Sequence, residues 1–315
     1  MRTTDRAEGA GRQGCWMIEI PDDFASRTID REGEGSRTWL ASLPVLVDEL
    51  LERWSCTPTA TAMHGQVGLV VPVLRHGDPG VLKISHPHPG LVHEPHALAW
   101  WGGRGAVLLH ERDDSNFAMV LEKAEQTSLA DLDDVDEAVA AAGRLVRRLA
   151  VPAPPRLPRL RDHAEQWWLD EIREAAAELA YPLPQRVVDA ALSTVKELGP
   201  DQPDTLVHGD LHYANVLRAE REPWLAIDPK GYVGDPAYDA IKLLRGHFDD
   251  LLAADDLKTA LLRRLDIFSE TAELDRERVS RWAQARAVMS AQWGRQNGDP
   301  GWLVDITDQI AEALT

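Results

Sequence analysis

The chain has 315 residues, 44% of them hydrophobic, and carries 34 Lys and Arg against 52 Asp and Glu for a formal charge of −18. That size favours two lobes over a single core, and the charge opposes nucleic acid and anionic membrane while favouring cationic ligands. Cys15 and Cys56 cannot build a disulfide framework, no apolar run is long enough to span a bilayer, and charges stand where a signal peptide needs apolar residues, so a cytoplasmic monomer is expected.

Residues 1–16 are rich in Gly, Arg and polar types and read as a disordered tail. Leu43, Leu46, Val47, Leu50, Leu51 and Trp54 recur at helical spacing and predict a helix over residues 36–54. Residues 57–85 alternate and are β-branched, with breaks at 64–68 and 76–80, the pattern of three antiparallel strands. A short helix is expected at 91–101, then two strands at 106–110 and 117–121 around a polar turn at 111–116. Beyond Leu121 the pattern is helical over 128–150, 162–180, 184–198, 235–271 and 275–295, with Pro-bearing breaks such as 151–158. The fold class is α+β, a two-lobe arrangement with a five-stranded antiparallel sheet and helix in residues 17–122 and a mainly helical lobe in 123–315.

One β-like island, residues 205–230, interrupts the helical half and reads TLVHGDLHYANVLRAEREPWLAIDPK. Asp210 and Asn215 are five apart, the spacing at which a kinase catalytic loop presents a carboxylate to the nucleophile and an amide oxygen to a metal. Asp228 follows the apolar run 224–227, so a strand end delivers a second metal ligand to the same place. A lone loop aspartate is usually a turn or cap residue; the three together at these offsets point to phosphoryl transfer. Lys83 stands mid-strand in VLKIS, where an unpaired ammonium is costly. It either faces solvent on an edge strand or contacts nucleotide phosphates with Glu94, the only acidic residue between Asp78 and Glu111, as its partner. Gly65 and Gly68 mark a turn where a phosphate-covering loop would lie, which a plain hairpin explains equally well. No GxxxxGK[ST] run occurs. Asp235 and Asp239 read as capping and bracing residues. Trp167, Trp168, Trp282 and Trp293 fall in helices suited either to core packing or to walling an acceptor cleft. The acidic runs 131–137 and 249–256 are either solvated faces or sources of carboxylates for a cationic ligand.

HGDLHYANVL, AIDPK, GDPAYD and VPAPPRL resemble the aminoglycoside phosphotransferase superfamily, most closely its streptomycin 6-phosphotransferase and hydroxyurea phosphotransferase branch. SRTWLASLPVLVDELLERW, LVVPVLR, REPWLAIDP and ELDRERVSRWAQARAV extend the likeness over most of the chain. The resemblance implies a protein-kinase-like fold, ATP or GTP with Mg²⁺, Asp210 as catalytic base, Asn215 and Asp228 as metal ligands, Lys83 as the phosphate-binding lysine with Glu94, and nucleotide recognition by backbone groups around Glu122 and Ala124. It also implies a small cationic antibiotic as acceptor, streptomycin at its 6-hydroxyl first, with hydroxyurea or another hydroxylated metabolite as an alternative and a catalytically silent kinase-like module as a third reading. The chain departs from the branch after GDPAYD, where Ala240, Ile241 and Lys242 lead into LLRGHFDD.

Overall fold

The computed structural model describes residues 18–179 and 183–315, so the tail expected at 1–16 lies outside the described residues. They form two compact units, one ending at His86 and the other spanning Pro87–Thr315.

The first unit opens with a helix the sequence pattern did not suggest, α1 (Asp22–Glu32), whose buried face is little more than Phe24 and Thr28 one turn apart. The Phe24 ring lies 5.5 Å from His64, which bonds Asp23 at 2.8 Å. Helix α2 (Ser36–Arg53) is the one expected, and it buries Leu43, Val47, Leu50 and Leu51 along one stripe. The strands are β1 (Cys56–Pro58), β2 (Met63–His64), β3 (Gly68–Arg75) and β4 (Asp78–Ser85). β3 and β4 form an antiparallel hairpin from Gly68↔Ser85 to Arg75↔Asp78, with β1 and β2 both paired to β3. The first of the three expected strands is therefore two short ones.

The second unit begins with α3 (Glu94–Trp101), its Pro95 in the first turn where no N–H is needed. The hairpin β5 (Leu109–Asp113) and β6 (Ala118–Glu122) follows. β5 starts later than expected because Ala106 instead bridges Ala226. Helix α4 (Val135–Leu149) also starts late: Ser128 and Asp131 close a separate turn as a capping box, and Asp134 then caps α4 by accepting the Glu137 N–H. β7 (Val151–Pro152), α5 (Leu160–His163), a π turn at Ala164–Trp168, α6 (Leu169–Glu178) and α7 (Gln185–Leu198) lead to β8 (Thr205–Val207). β9 (Val216–Arg218) and β10 (Trp224–Ala226) form a hairpin, and β11 (Tyr232–Val233) pairs with β8, which also pairs with β7.

The stretch 235–271 is not one helix but three, α8 (Ala240–Leu244), α9 (Phe248–Ala253) and α10 (Leu257–Ala272), after a short turn at Pro236–Asp239. The break has a cause in tertiary structure. Buried Arg264 of α10 donates to the carbonyls of Leu244 at 3.1 Å and His247 at 3.4 Å, taking up acceptors that a continuing helix would use. Helices α11 (Arg276–Asn297) and α12 (Gly301–Ala313) complete the unit, with α11 packed on α7, α10 and α12. Among the described residues no helix is long and apolar enough to cross a membrane.

Candidate active site

β8 delivers the chain to His208, which is buried and ties two segments together. Its Nδ1 accepts the Asp210 N–H at 3.2 Å, so Nε2 carries the proton and donates to the Ile227 carbonyl at 2.8 Å. Burial keeps the ring neutral by pushing it down to about 4. Gly209 has φ +83°, and a Cβ there would meet the Tyr232 ring at 2.4 Å, so only glycine fits the step before Asp210. Below the loop, Asp239 is 6% exposed and accepts the His208 and Gly209 N–H groups at 3.1 and 2.9 Å. Asp239 braces the loop as expected. Asp235 is the cap, accepting the Ala237 N–H at 2.9 Å while Trp282 Nε1 and Arg278 hold its other oxygen.

Burial pushes the Asp239 carboxyl up to about 6, from an ordinary 3.8, against the pull of Arg286 and the two N–H groups. The folded protein therefore binds more protons than the unfolded chain between those values; the group's contribution to stability is complete below pH 3.8 and is lost as the pH rises past about 6. Asp239→Asn removes this titration. Denaturant unfolding of parent and variant at pH 5 and pH 8 should show the stability difference moving in the variant's favour by about 1 kcal/mol at the higher pH. An equal difference at both pH values would mean that Asp239 does not hold that proton.

Asn215 is buried, and its Nδ2 donates to the Asp210 carbonyl at 3.1 Å, which turns Oδ1 away from that contact. The Asn215 carbonyl accepts the Ile227 N–H at 2.9 Å, continuing the register Val216↔Ala226. Asn215 and Asp228 thus stand at the same end of the β9–β10 hairpin, a few residues from Asp210. Asp228 has φ +59°, a sparsely populated region for a side chain other than glycine, the kind of local strain that is held in place at functional sites. An amide oxygen and a carboxylate are hard donors that suit Mg²⁺ shared with substrate phosphates. No cluster of three His, Cys, Asp or Glu able to hold a metal occurs among the described residues.

Asp210 itself is half-buried, and Lys242 of α8 places its ammonium on Asp210 Oδ1. Burial would raise the carboxyl, but the charge and hydrogen bond of Lys242 more than offset it and leave Asp210 below the ordinary aspartate range. Lys242 stands in the stretch where the chain departs from the family branch, and its sequence context suggests no role. Local sequence carries no signal for the pair, because the two residues are 32 positions apart.

Lys242 also lines a cavity of about 530 Å³ lying within the second unit. It is lined by Glu171, Glu174 and Glu178 of α6, by Asp299, by Lys242 of α8 and Arg245, which caps that helix, and by Arg286 of α11. Trp293 lines it and is largely exposed; Trp168 and Trp282 are buried and pack around Tyr238, Trp168 stacked on it at 5.5 Å. Neither acidic run noted in the sequence reaches the cavity. Asp134 and Asp256 cap helices, and Asp136 and Glu137 pair with Arg263 and Arg144. The spacing of Glu171, Glu174 and Glu178, three on one helix face, was the available signal.

Of the other expected site residues, Lys83 lies on β4 opposite Val70 and is 4% exposed, and Glu94 opens α3 at 1%. Gly65 and Gly68 close the β2–β3 turn, with the Gly65 N–H donating to the Gly68 carbonyl at 2.9 Å. Glu122 ends β6. Its N–H goes to the Leu108 carbonyl at 2.8 Å and its carboxylate takes the Leu108 N–H and the Arg221 guanidinium. Ala124 follows two residues later, outside any regular element.

Residues 53–298 match the family described as aminoglycoside/hydroxyurea antibiotic resistance kinase. The chain is 39% identical over 301 residues to streptomycin 6-kinase of Streptomyces glaucescens, covering 95% of this chain and 97% of that protein. It is 34% identical over 303 residues to hydroxyurea phosphotransferase of Kitasatospora aureofaciens, covering 95% and 86%. Among solved structures, an aminoglycoside phosphotransferase APH(4)-Ia mutant in ternary complex with ADP and hygromycin B superposes with a TM-score of 0.53 at 15% identity, over 84% of this chain and 97% of that one, which establishes the kinase-like fold. A match over most of the chain, two relatives above 30% identity and a shared fold lead to one conclusion: the chain belongs to the aminoglycoside/hydroxyurea antibiotic resistance kinase family.

Proposed function

We propose that the chain transfers the γ-phosphoryl group of ATP to the 6-hydroxyl of streptomycin. The observation that carries this reading is the joining of Asp210, Asn215 and Asp228 by His208 and the β9–β10 register, next to a cavity with an acidic wall. Lys242 occupies Asp210 Oδ1, leaving Oδ2 to orient the acceptor hydroxyl and receive its proton. As the new O–P bond forms, the bond from the γ-phosphorus to the β–γ bridging oxygen breaks and ADP departs. Asn215 and Asp228 would hold Mg²⁺, which neutralises phosphate charge. Lys83, Glu94 and the backbone around Glu122 and Ala124 keep the nucleotide-binding roles that the family resemblance gives them, with an N-terminal lobe ending near Glu122.

The acceptor assignment is supported by the high identity to a streptomycin 6-kinase and by charge. Glu171, Glu174, Glu178 and Asp299 suit guanidinium groups through charge-assisted hydrogen bonds. Hydroxyurea is neutral and would fill a small part of 530 Å³, so the cavity favours the larger cationic acceptor. Purified protein with ATP and Mg²⁺ is expected to give a single-phosphate adduct of streptomycin by mass spectrometry. The KM for streptomycin should rise with ionic strength while kcat changes less, because added salt screens the approach more than the enclosed site. An adduct on hydroxyurea and none on streptomycin would overturn the acceptor and leave the phosphotransferase standing.

A further inference from the structure

The acceptor cavity has a second, opposite polarity. In a chain of charge −18 the arginines characteristically reach carboxylates, as Arg159, Arg221, Arg263, Arg278 and Arg295 do. Arg245 and Arg286 make no ion pair among the described residues. Arg286 lies over the Tyr238 ring, its Cζ 3.7 Å from the centroid, and its Nη1 is buried without a hydrogen-bond partner among them. Arg245 ends α8 against Phe248, 6.0 Å from that centroid. Burial first, then the Arg286 guanidinium, holds Arg245 below the ordinary arginine range. The Asp239 and Asp299 carboxylates offset part of the charge of Arg286 and Arg245, but the buried Arg286 Nη1 remains an unmet donor, which costs stability unless an acceptor completes it. Lys242 fixes where that anion belongs, since it lines the same cavity and touches the base Asp210.

An incoming cationic antibiotic is not that anion. The guanidiniums repel it before transfer and attract it afterwards, when the new phosphoryl group adds roughly −1.5 to −2 of charge and three acceptor oxygens. Groups that favour the transferred state over the bound substrate lower the barrier, whereas groups that bind both equally do not. We propose that Arg245 and Arg286 form the receiving site for the phosphoryl group as it passes to the acceptor, so the cavity is matched to the phosphorylated product more than to the free antibiotic. This rests on the kinase reading above. The α6 glutamates line the same cavity and can take the cationic part of the acceptor, while the Asp299 carboxylate acts on Arg245.

The test uses Arg286→Met and Arg245→Met, which keep length and remove charge, with Arg286→Lys as the conservative variant. Inorganic phosphate is titrated calorimetrically into the full chain with ADP and Mg²⁺ at saturation, and steady-state kinetics on streptomycin are measured in parallel. The parent should bind phosphate, and either Met variant should bind it at least about tenfold more weakly. Their kcat should fall roughly 10²- to 10³-fold, with KM for streptomycin unchanged or lower, and Arg286→Lys should recover part of both losses. Phosphate affinity equal in parent and both variants, or a raised KM at unchanged kcat, would overturn the proposal. Failure of the kinase reading shows separately, as absence of ADP binding and of turnover in the parent, while the dependence of phosphate binding on the two arginines is read without turnover.

Discussion

Asp210→Asn is expected to lower kcat by about 10³-fold or more while ADP affinity stays within roughly twofold of the parent. The substitution preserves shape, and its neighbours explain why folding should survive it. The Asp210 N–H still reaches His208 Nδ1, the Asp210 carbonyl still accepts from Asn215, and Asp239 still holds the two preceding N–H groups. What changes is the side chain's ability to take the acceptor's proton and to balance Lys242, whose own side chain is 30% exposed and can turn to water. A positioned base contributes typically 10²–10⁴-fold, so the loss should fall on kcat, with KM for streptomycin moving little. Steady-state kinetics and ADP calorimetry on the same preparation separate the two. Turnover within tenfold of the parent would remove Asp210 from the base role.

The proposed phosphoryl-transfer site was legible in sequence because it is local. Asp210 and Asn215 share one loop, and Asp228 follows a strand that pairs back on the same loop, so spacing alone carries the geometry. The cavity proposed for the acceptor was not legible. Its charged lining comes from α6, α8 and α11, segments separated by tens of residues, and a glutamate or arginine on a helix face reads the same whether it faces solvent or a cleft. Lys242, Arg245 and Arg286 acquire meaning only when α8 and α11 are placed together. The elements missed or misread have similar causes. α1 buries only two residues and leaves no stripe to read. The run 235–271 has helical composition throughout, but buried Arg264 gathers the carbonyls at the end of α8 and stops it, a tertiary interaction overriding local propensity. The acidic runs were conspicuous as charge yet serve as helix caps and surface pairs.

Asp228→Ala should abolish the Mg²⁺ dependence of ADP binding and reduce turnover by roughly 10³-fold. The argument starts from the backbone. Asp228 holds φ +59°, where alanine is strained by about 1 kcal/mol or more, whereas asparagine tolerates that region. Asp228→Asn therefore serves as the companion: it keeps the backbone and an oxygen donor but removes the negative charge that draws a divalent ion. Asn215 would offer only a neutral oxygen from the adjacent strand end, so with Asn at both positions the pair carries no charge at all. The Asn variant should fold as the parent does and still bind ADP alone, with the gain on adding Mg²⁺ reduced and turnover well below the parent. The Ala variant should lose that gain altogether and show in addition a small loss of stability by denaturant unfolding. Measured this way, a loss of activity in Asp228→Asn cannot be assigned to unfolding, and an undiminished Mg²⁺ effect on ADP binding in both variants would move the metal site away from Asp228.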